Sequence, residues 1–392
     1  GAVFAATIAK KHNIKNIISF DMGGTTAKIC LIKNQKPKTS RVFEVARSYR
    51  FKKGSGMPIS IPVIDMVEIG AGGGSLAHVD DLQQIRVGPQ SAGSRPGPAC
   101  YGLGGTLPSV TDADLLLGKL SVESFAGGSL KLNKKNSEKA LEINIGSKLN
   151  TSNKIAAYGV SEVVDENMAN AARVHAVENG EDLSDYTMIA FGGAAPLHAS
   201  RICEKLGINQ FLIPEGAGVG SALGFLQAPF SFEATRSLYS TISNFNPKQT
   251  KKIFAELKHE ATTFVKSCAQ NLTIQSDYKV YMRYKGQGWE IPIYLKEKTA
   301  QNPTETELRN LFEKEYKKIF SRTVNDIDIE ITIWSVNAFT PLKKVIEIKP
   351  TKTKKPKNIK ATRSMFDSKL GKNVIARVMK RNELKKGEEI FG

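Results

Sequence analysis

Residues 20–28 have the composition of a loop that binds metal-bound phosphate. The segment reads Phe-Asp-Met-Gly-Gly-Thr-Thr-Ala-Lys, and its candidate site residues are Asp21, Gly23, Gly24, Thr25 and Thr26. The glycines let the backbone approach a ligand and expose its N–H groups, and the hydroxyls add donors. The carboxylate is able to hold Mg²⁺ through water. A tight hairpin turn with a capping aspartate accounts for the same residues, so both interpretations stay open.

A second candidate lies at residues 190–198, which read Ala-Phe-Gly-Gly-Ala-Ala-Pro-Leu-His. The pair Gly192 and Gly193, between an apolar strand and a helix start, leaves a flat approach for a nucleotide base and sugar. The helix start also brings the positive end of its dipole beside phosphate. A plain strand-to-helix connection, with Pro196 in the first helical turn, is the alternative that these residues leave open.

The third candidate is a long glycine-rich stretch at residues 64–102. It contains Gly-Ala-Gly-Gly-Gly-Ser at 70–75, Arg-Val-Gly-Pro-Gln-Ser-Ala-Gly at 86–93 and Gly-Pro-Ala-Cys-Tyr-Gly at 97–102. Ordering so many glycines costs conformational entropy, which indicates that their backbone geometry is used. A pocket wall and a subunit contact are the two uses we consider. The glycines at 216, 218 and 220 complete no GxGxxG spacing and predict close helix packing instead.

Further residues qualify as site candidates by type alone. They are His78, His175, His198, Asp112, Asp114 and Lys28. For the histidines, a structural or surface position is favoured over proton transfer. The two aspartates either cap a helix or join the pocket, and the lysine either neutralises phosphate or is a solvated strand residue.

The elements around these candidates predict an α/β unit. Strands are predicted at 16–20, 28–32, 186–191 and 209–213, and short strands with ordered loops between 61 and 111. Helices are predicted at 1–11, from a cap near Thr111 or Asp112 to about 120, at 155–178, at 196–206 and at 216–227. Strand, glycine turn, helix and strand in succession are typical of α/β folds.

Composition changes after about Phe232. Helices are predicted there at 248–270 and 304–319, and strands at 278–284, 289–295 and 330–336. We therefore predict three segments, namely an α/β lobe at 1–235, an α+β region at 236–345, and a basic linker with a C-terminal segment at 346–392.

The formal net charge of the 392 residues is +18, so a nucleic-acid partner has to be considered. Much of the excess lies at 343–386, including Lys-Thr-Lys-Lys-Pro-Lys-Asn-Ile-Lys at 352–360. That run has no aromatic residues to stack on bases, which favours a solvated linker without nucleic acid. No stretch approaches the roughly 20 apolar residues that cross a bilayer, and no leader opens the chain, which predicts a cytoplasmic protein without a membrane partner. The four cysteines form no CxxC pair and predict free thiols.

Taken together, these motifs resemble the hydantoinase A/oxoprolinase family. The resemblance covers residues 20–32, 64–120 and 189–229, and extends more weakly to 282–287 and 330–334. Glu-Ile-Gly-Ala-Gly-Gly-Gly at 68–74 is more similar to the N-methylhydantoinase A type than to the oxoprolinase type. The resemblance implies an actin-like ATPase (ribonuclease H-like) fold for the first lobe, followed by the smaller α+β region.

The resemblance also implies roles for individual residues. Asp21 would position Mg²⁺ or the catalytic water, and Gly23, Gly24, Thr25 and Thr26 would hold phosphate as the second phosphate loop. The adenosine-binding turn would be Gly192, Gly193 and Ala194. Residues 218–224 would be the second connecting helix between lobes.

Family members carry a first phosphate loop in a preceding lobe, and this sequence holds no such element. Residues 1–11 resemble the first connecting helix entered partway, and residues 385–392 stop where family members continue into a further strand. The resemblance thus implies a fragment that lacks the N-terminal lobe and is cut at both ends.

The expected activity is ATP-dependent hydrolysis of a cyclic amide, of the hydantoin or 5-oxoproline type, through phosphate activation of the ring carbonyl. The chain would be the A-type subunit of an oligomer, with ATP and Mg²⁺ as cofactors and a B-type hydantoinase subunit as partner. Two alternatives remain, a subunit of a related ATP-dependent ketone carboxylase and a truncated nucleotide-binding or assembly module without activity alone.

Overall fold

The computed structural model describes residues 1–46, 48, 54–341, 361–367, 369–381, 384 and 387–389. The chain forms two compact units, Gly1–Leu226 with Val345–Gly392, and Gln227–Lys344. The units divide after residue 226 rather than at the expected 235, because the strand Ser231–Thr241 pairs with Ile329–Phe339 of the second unit. The lysine-rich run at 352–360 lies outside the described residues.

The first unit is built on a mixed sheet. Its strands in chain order are β1 (Ile17–Met22), β2 (Ala27–Lys33), β3 (Lys36–Pro37), β4 (Thr39–Val45), β5 (Met57–Ile64), β6 (Met66–Ile69), β7 (Ser75–Val79), β8 (Ile85–Ser91), β9 (Thr187–Phe191) and β10 (Gln210–Leu212). The main sheet has the order β10-β9-β1-β2-β3, with β6 also paired to β2. β1, β9 and β10 run parallel, whereas β1 and β2 form the predicted antiparallel hairpin. β4–β5 and β7–β8 are separate hairpins.

Helices cover both faces of this sheet. They are α1 (Ala2–Lys11), α2 (Val110–Leu116), α3 (Lys134–Leu141), α4 (Ser147–Leu149), α5 (Asn153–Glu178), α6 (Ala195–Leu206) and α7 (Gly220–Gln227). A π-helical turn, Glu142–Gly146, joins α3 to α4. The predicted helices at 1–11, 155–178, 196–206 and 216–227 correspond to α1, α5, α6 and α7. α3 was not predicted, because its mean composition is polar and only Ser137, Ala140 and Leu141 are buried.

Alternation along β1 assigns its side chains to two cores. Ile18, Phe20 and Met22 pack in the core that includes α2, α5 and α6. Ile17 packs on the opposite face with α1. Asp21 follows Ile17 by four residues and therefore points to the face of α1. A strand buried on both faces is typical of an α/β layer arrangement, as the sequence predicted.

The second unit is an antiparallel sheet with helices. Its elements are β11 (Ser231–Thr241), α8 (Pro247–Cys268), β12 (Gln275–Tyr284), β13 (Ile291–Leu295), α9 (Glu297–Gln301), α10 (Glu305–Phe320) and β14 (Ile329–Phe339). The strand order is β11-β14-β12-β13. Trp334 lies in the core, 5.5 Å from the Phe254 ring, and donates its indole N–H to the Leu238 carbonyl at 3.1 Å. β11 was not predicted, because as an edge strand it buries only Ala234 and shows little apolar alternation.

A final hairpin, β15 (Thr362–Asp367) and β16 (Lys372–Arg377), lies in the segment 346–392 that was predicted as a basic linker with a C-terminal segment. It packs on the first unit, since Phe366 lies 5.3 Å from the Tyr158 ring and its N–H donates to the Leu117 carbonyl at 2.9 Å. Among the described residues, no helix combines the length and the apolar composition that spanning a membrane requires. Cys30, Cys100, Cys203 and Cys268 are free thiols, as predicted.

Candidate functional site

The glycine turn of the β1–β2 hairpin is open on one side. The turn closes through the Gly23 N–H, which donates to the Thr26 carbonyl at 3.1 Å. A Cβ placed on Gly23 or Gly24 would meet no atom within 4 Å. Asp21 is partly exposed at the end of β1, and its carboxylate accepts a short hydrogen bond from the Ser221 hydroxyl. Free space therefore lies beside backbone N–H groups, hydroxyls and a carboxylate.

The glycine-rich loop 70–75 supports this turn from behind. The Gly73 N–H donates to the Gly23 carbonyl at 3.0 Å, and the Gly74 N–H donates to the Gly24 carbonyl at 2.7 Å. A Cβ on Gly72 would lie 2.6 Å from the Gly24 carbonyl carbon, so only glycine allows this approach. The glycine run is thus used for backbone contact, and it forms a wall of the site.

Gly72→Ala is expected to destabilise the first unit by about 1–3 kcal/mol, because the added methyl group meets backbone atoms that cannot rotate away. Gly23→Ala is the matched control, since its methyl group would enter open space. Urea unfolding of both variants measures the difference. Equal free energies of unfolding would contradict the close approach of the two loops.

The Gly-Gly turn after β9 closes the site on the other side. Gly192 has φ +96°, and an added Cβ would clash with the Met22 carbonyl. The Ala194 N–H donates to the same carbonyl at 3.0 Å. Gly193, by contrast, is exposed and has open space at its Cβ position. The structure therefore brings the first two predicted site segments together, with the third behind them.

The start of α2 is fastened to the glycine-rich loop. Thr111 donates its N–H and its hydroxyl to the Gly73 carbonyl, each at 2.7 Å. The helix cap is Ser109 rather than the expected Thr111 or Asp112, because Ser109 and Asp112 form a reciprocal capping box. The sequence S-x-x-D just before the apolar run carried this signal.

Asp112 is a buried structural carboxylate rather than a pocket residue. It accepts the backbone N–H groups of Ala99, Cys100 and Ser109 at 3.1, 2.7 and 2.9 Å. The hydroxyls of Ser109 and Ser137 also donate to it, both at 2.7 Å. Asp112 thus holds the segment Gly-Pro-Ala-Cys-Tyr-Gly at 97–102 against the start of α2, and these hydrogen bonds order the segment.

His198 is also fully buried, in a network of charges. Its Nδ1 lies 2.7 Å from Asp165 of α5, and its Nε2 lies 3.1 Å from Asp114 of α2. Lys119 pairs with Asp114 at 3.0 Å and donates to the Ser161 hydroxyl at 2.8 Å. Burial alone would lower the pKa of His198, but the two carboxylates outweigh it and raise the pKa to about 9. His198 is therefore an imidazolium at neutral pH.

The remaining candidates by type lie outside this arrangement. His78 is exposed on β7, and His175 is buried in the last turn of α5. Lys28 lies beside Asp21 in the strand register, but its ammonium pairs with Glu68 at 3.4 Å on an exposed surface. The exposed side chain of Lys28 agrees with the alternative that it is a solvated strand residue, although its backbone lies beside Asp21.

Ser221 is the site residue that the sequence did not reveal. It lies 200 positions after Asp21, in the first turn of α7, and its sequence context shows only small residues. Within the described ranges, no cluster of three or more His, Cys, Asp or Glu residues is arranged to hold a metal ion.

Two family descriptions match the chain, Hydantoinase/oxoprolinase over residues 1–234 and Hydantoinase/oxoprolinase C-terminal domain over residues 242–392. An uncharacterized protein of Methanocaldococcus jannaschii is 38% identical over 337 residues, which cover 84% of this chain and 48% of that protein. The caprolactamase subunit alpha of Pseudomonas jessenii is 32% identical over 328 residues, which cover 83% of this chain and 46% of that subunit.

Among solved structures, a nucleotide-free acetone carboxylase, described with the mechanism of ATP-dependent acetone carboxylation, has a TM-score of 0.77 at 25% identity. That match covers 100% of this chain and 56% of the acetone carboxylase chain. The chain spans about half the length of the two curated relatives above, 48% and 46%.

Proposed function

The chain belongs to the hydantoinase/oxoprolinase family, as its motifs predicted, and from this premise we propose that it is the ATP-binding A-type subunit of an enzyme that hydrolyses a cyclic amide. The substrate class is a hydantoin or 5-oxoproline ring. The caprolactamase relative supports an amide ring as the substrate, since a lactam is a cyclic amide.

One observation carries the proposal. Gly23, Gly24 and Gly193 leave open space at their Cβ positions, on both sides of the Asp21 carboxylate region. The two loops that bear them are joined by the Ala194 N–H, which donates to the Met22 carbonyl at 3.0 Å, so the two open positions lie on connected backbone. Such a cradle of N–H groups and hydroxyls suits a polyphosphate.

We assign the individual roles on this basis. Gly24, Thr25 and Thr26 bind phosphate oxygens through N–H groups and hydroxyls, and Gly23, whose N–H closes the turn, leaves the space that the phosphate occupies. Gly192, Gly193 and Ala194 border the adenosine. The first unit is then an actin-like ATPase lobe. This assignment is supported by the helices that pack on both faces of its main sheet and by the family to which the chain belongs.

Magnesium fits the chemistry of this site. Mg²⁺ is commonly held by one or two carboxylates, with water and phosphate oxygens completing its shell. Asp21 is one such carboxylate, partly exposed beside the phosphate cradle. When bound, the ion neutralises charge on the phosphates. Asp21 itself would orient the ion or the attacking water, with its carboxylate held by the Ser221 hydroxyl.

The chemistry explains the need for ATP. An amide carbonyl is a poor electrophile, and phosphorylation of its oxygen creates a leaving group before water adds. The protein's part is to hold the phosphate and the ring in line and to shield developing charge. A B-type subunit is the proposed partner in a cytoplasmic oligomer, without nucleic acid or membrane.

A related ketone carboxylase is the second candidate, favoured by the acetone carboxylase match over the whole chain. Phosphorylation of an enolate oxygen uses the same cradle. Phosphate release in the assembled full-length enzyme distinguishes the two, because carboxylation requires bicarbonate and a ketone, whereas ring opening requires neither. If neither a cyclic amide nor a ketone with bicarbonate stimulates phosphate release, a nucleotide-binding or assembly module is left.

Gly24→Ala and Gly193→Ala are expected to weaken Mg-ATP binding at least tenfold, because each methyl group occupies space proposed for the nucleotide. Neither should change the free energy of unfolding by more than about 0.5 kcal/mol, since the methyl groups meet no protein atom. Isothermal titration calorimetry and urea unfolding measure the two quantities.

Gly288→Ala in the second unit is the matched control, with the same change into open space. Unchanged Mg-ATP affinity in both site variants would contradict the proposed cradle. Absence of Mg-ATP stabilisation of the wild-type chain in a thermal shift would contradict nucleotide binding itself.

A further inference from the structure

Hydrogen bonds and short stretches of chain form a closed circuit that connects Gly23 to α2, α2 to His198 on α6, and α6 back to Met22. We propose that His198, on α6, is a positioning residue, whose Nε2 bond to Asp114 holds α2 at the separation from α6 that nucleotide binding requires. The inference rests on the proposed ATP site, and it assigns the buried histidine no contact with the reacting atoms.

One half of the circuit runs from the phosphate loop to α2. The Gly23 carbonyl accepts from Gly73, and the Gly73 carbonyl accepts twice from Thr111 at the start of α2. One turn along the same helix, the Asp114 carboxylate lies 3.1 Å from His198 Nε2. Displacement of α2 would therefore move the wall that supports Gly23.

The other half runs through α6. α6 follows the turn formed by Gly192 and Gly193, and His198 lies in the first turn of this helix. The N–H of Ala194 donates a hydrogen bond to the carbonyl of Met22, the residue before Gly23. His198 is thus the link that joins the support of the phosphate loop to the proposed adenosine turn. Asp165 on α5 holds the ring in orientation through Nδ1, at 2.7 Å.

The link needs a proton on both ring nitrogens, because each faces a carboxylate oxygen. Charged groups approach the ring from α2 (Asp114), from the turn after it (Lys119) and from α5 (Asp165). Glu162 of α5 acts on Lys119, and β9, which also packs on α6, has no titratable residue. The core of this network has no net charge, because the two carboxylates are balanced by the ammonium of Lys119 and the imidazolium of His198.

The proton makes the link sensitive to pH. The pKa of His198 is raised to about 9, so both N–H donors are present at lower pH and one of the two is lost as the pH rises through about 9. Burial would raise the pKa of Asp114, but Lys119 and His198 outweigh it and lower the pKa to about 2, so its charge persists down to acid pH. Mg-ATP affinity should therefore fall as the pH rises through about 9.

Two near-isosteric variants separate the two bonds. In His198→Asn the side-chain amide is placed to replace Nδ1, and in His198→Gln it is placed to replace Nε2. We expect His198→Asn to bind Mg-ATP about tenfold more weakly than wild type, and His198→Gln to recover most of that loss. The Arg201–Glu162 and Lys205–Glu166 ion pairs still join α5 to α6 in both variants.

Ile202→Ala is the control, because Ile202 is buried on the same helix but outside the network. It should lower stability without changing Mg-ATP affinity. Calorimetry between pH 7.5 and 9.5 should show wild-type affinity falling as the pH rises, and His198→Gln affinity staying constant. Equal affinity of wild type and His198→Asn, or identical pH profiles of wild type and His198→Gln, would overturn the proposal.

Amide hydrogen exchange tests the link without nucleotide. Exchange at Gly73 and Ala194 should be faster in His198→Asn than in Ile202→Ala at equal overall stability. If the wild-type chain binds no Mg-ATP, the ATP site fails while this comparison still judges the link. If either histidine variant does not fold, the wild-type pH profile of Mg-ATP affinity decides the question, together with the protection factors of Gly73 and Ala194 at pH 7.5 and 9.5, which are corrected for the intrinsic exchange rate.

Discussion

Replacing Asp21 by asparagine is expected to lower ATP-dependent turnover of the assembled full-length enzyme by about 100-fold or more. Asparagine keeps the shape of the side chain and an oxygen that accepts from Ser221, but it has no negative charge. The loss should therefore fall on turnover and on its dependence on Mg²⁺, while the fold is retained. Phosphate release with a saturating cyclic amide and varied Mg²⁺ measures this effect.

Two comparisons sharpen that experiment. Ser221→Ala removes only the hydroxyl that holds the carboxylate, so a smaller loss of turnover is expected, without a change in charge. Asp80→Asn is a charge-matched control, because Asp80 is paired with Arg86 in the β7–β8 turn. Full activity of Asp21→Asn would remove Asp21 from the proposed site.

Asp112→Ala is expected to lower the free energy of unfolding of the first unit by at least about 4 kcal/mol. The carboxylate accepts from the backbone of Ala99, Cys100 and Ser109 and from two serine hydroxyls. Each donor is left buried without an acceptor in the variant, and an unsatisfied buried donor costs about 1–3 kcal/mol. Chemical denaturation followed by circular dichroism measures the loss.

Asp112→Asn tests the acceptor role more narrowly. The amide keeps one oxygen but directs an NH₂ group toward N–H donors, so we expect a loss of about 3 kcal/mol. Asp182→Asn is the matched control, since Asp182 is exposed and caps a turn through the Ser184 N–H. That control should lose less than about 1 kcal/mol. Similar losses at positions 112 and 182 would contradict the buried-acceptor role.

The turns at residues 23–26 and at Gly192 were predictable as backbone features, because the glycines that form each turn are adjacent in the chain. Gly73 and Ser221 contact the first turn and its aspartate from distant positions, but a glycine pair after an apolar strand predicts the turn itself from local sequence. The same holds for α5, where Ser152 caps a helix whose apolar spacing is regular over 26 residues. The hairpin β15–β16 was not predictable, since it depends on Phe366 packing against Tyr158, about 200 positions away in the chain.

Family membership, the α/β class of the first unit and the residues of the glycine turns follow from motifs that are contiguous in the chain. The assignments of Asp112, His198 and Ser221 do not, because their partners come from other elements. Nothing near His198 in sequence distinguishes a surface histidine from one held between Asp114 and Asp165. Those partners meet only when α2, α5 and α6 pack, because burial and long-range hydrogen bonding, rather than residue type, determine what a titratable side chain does.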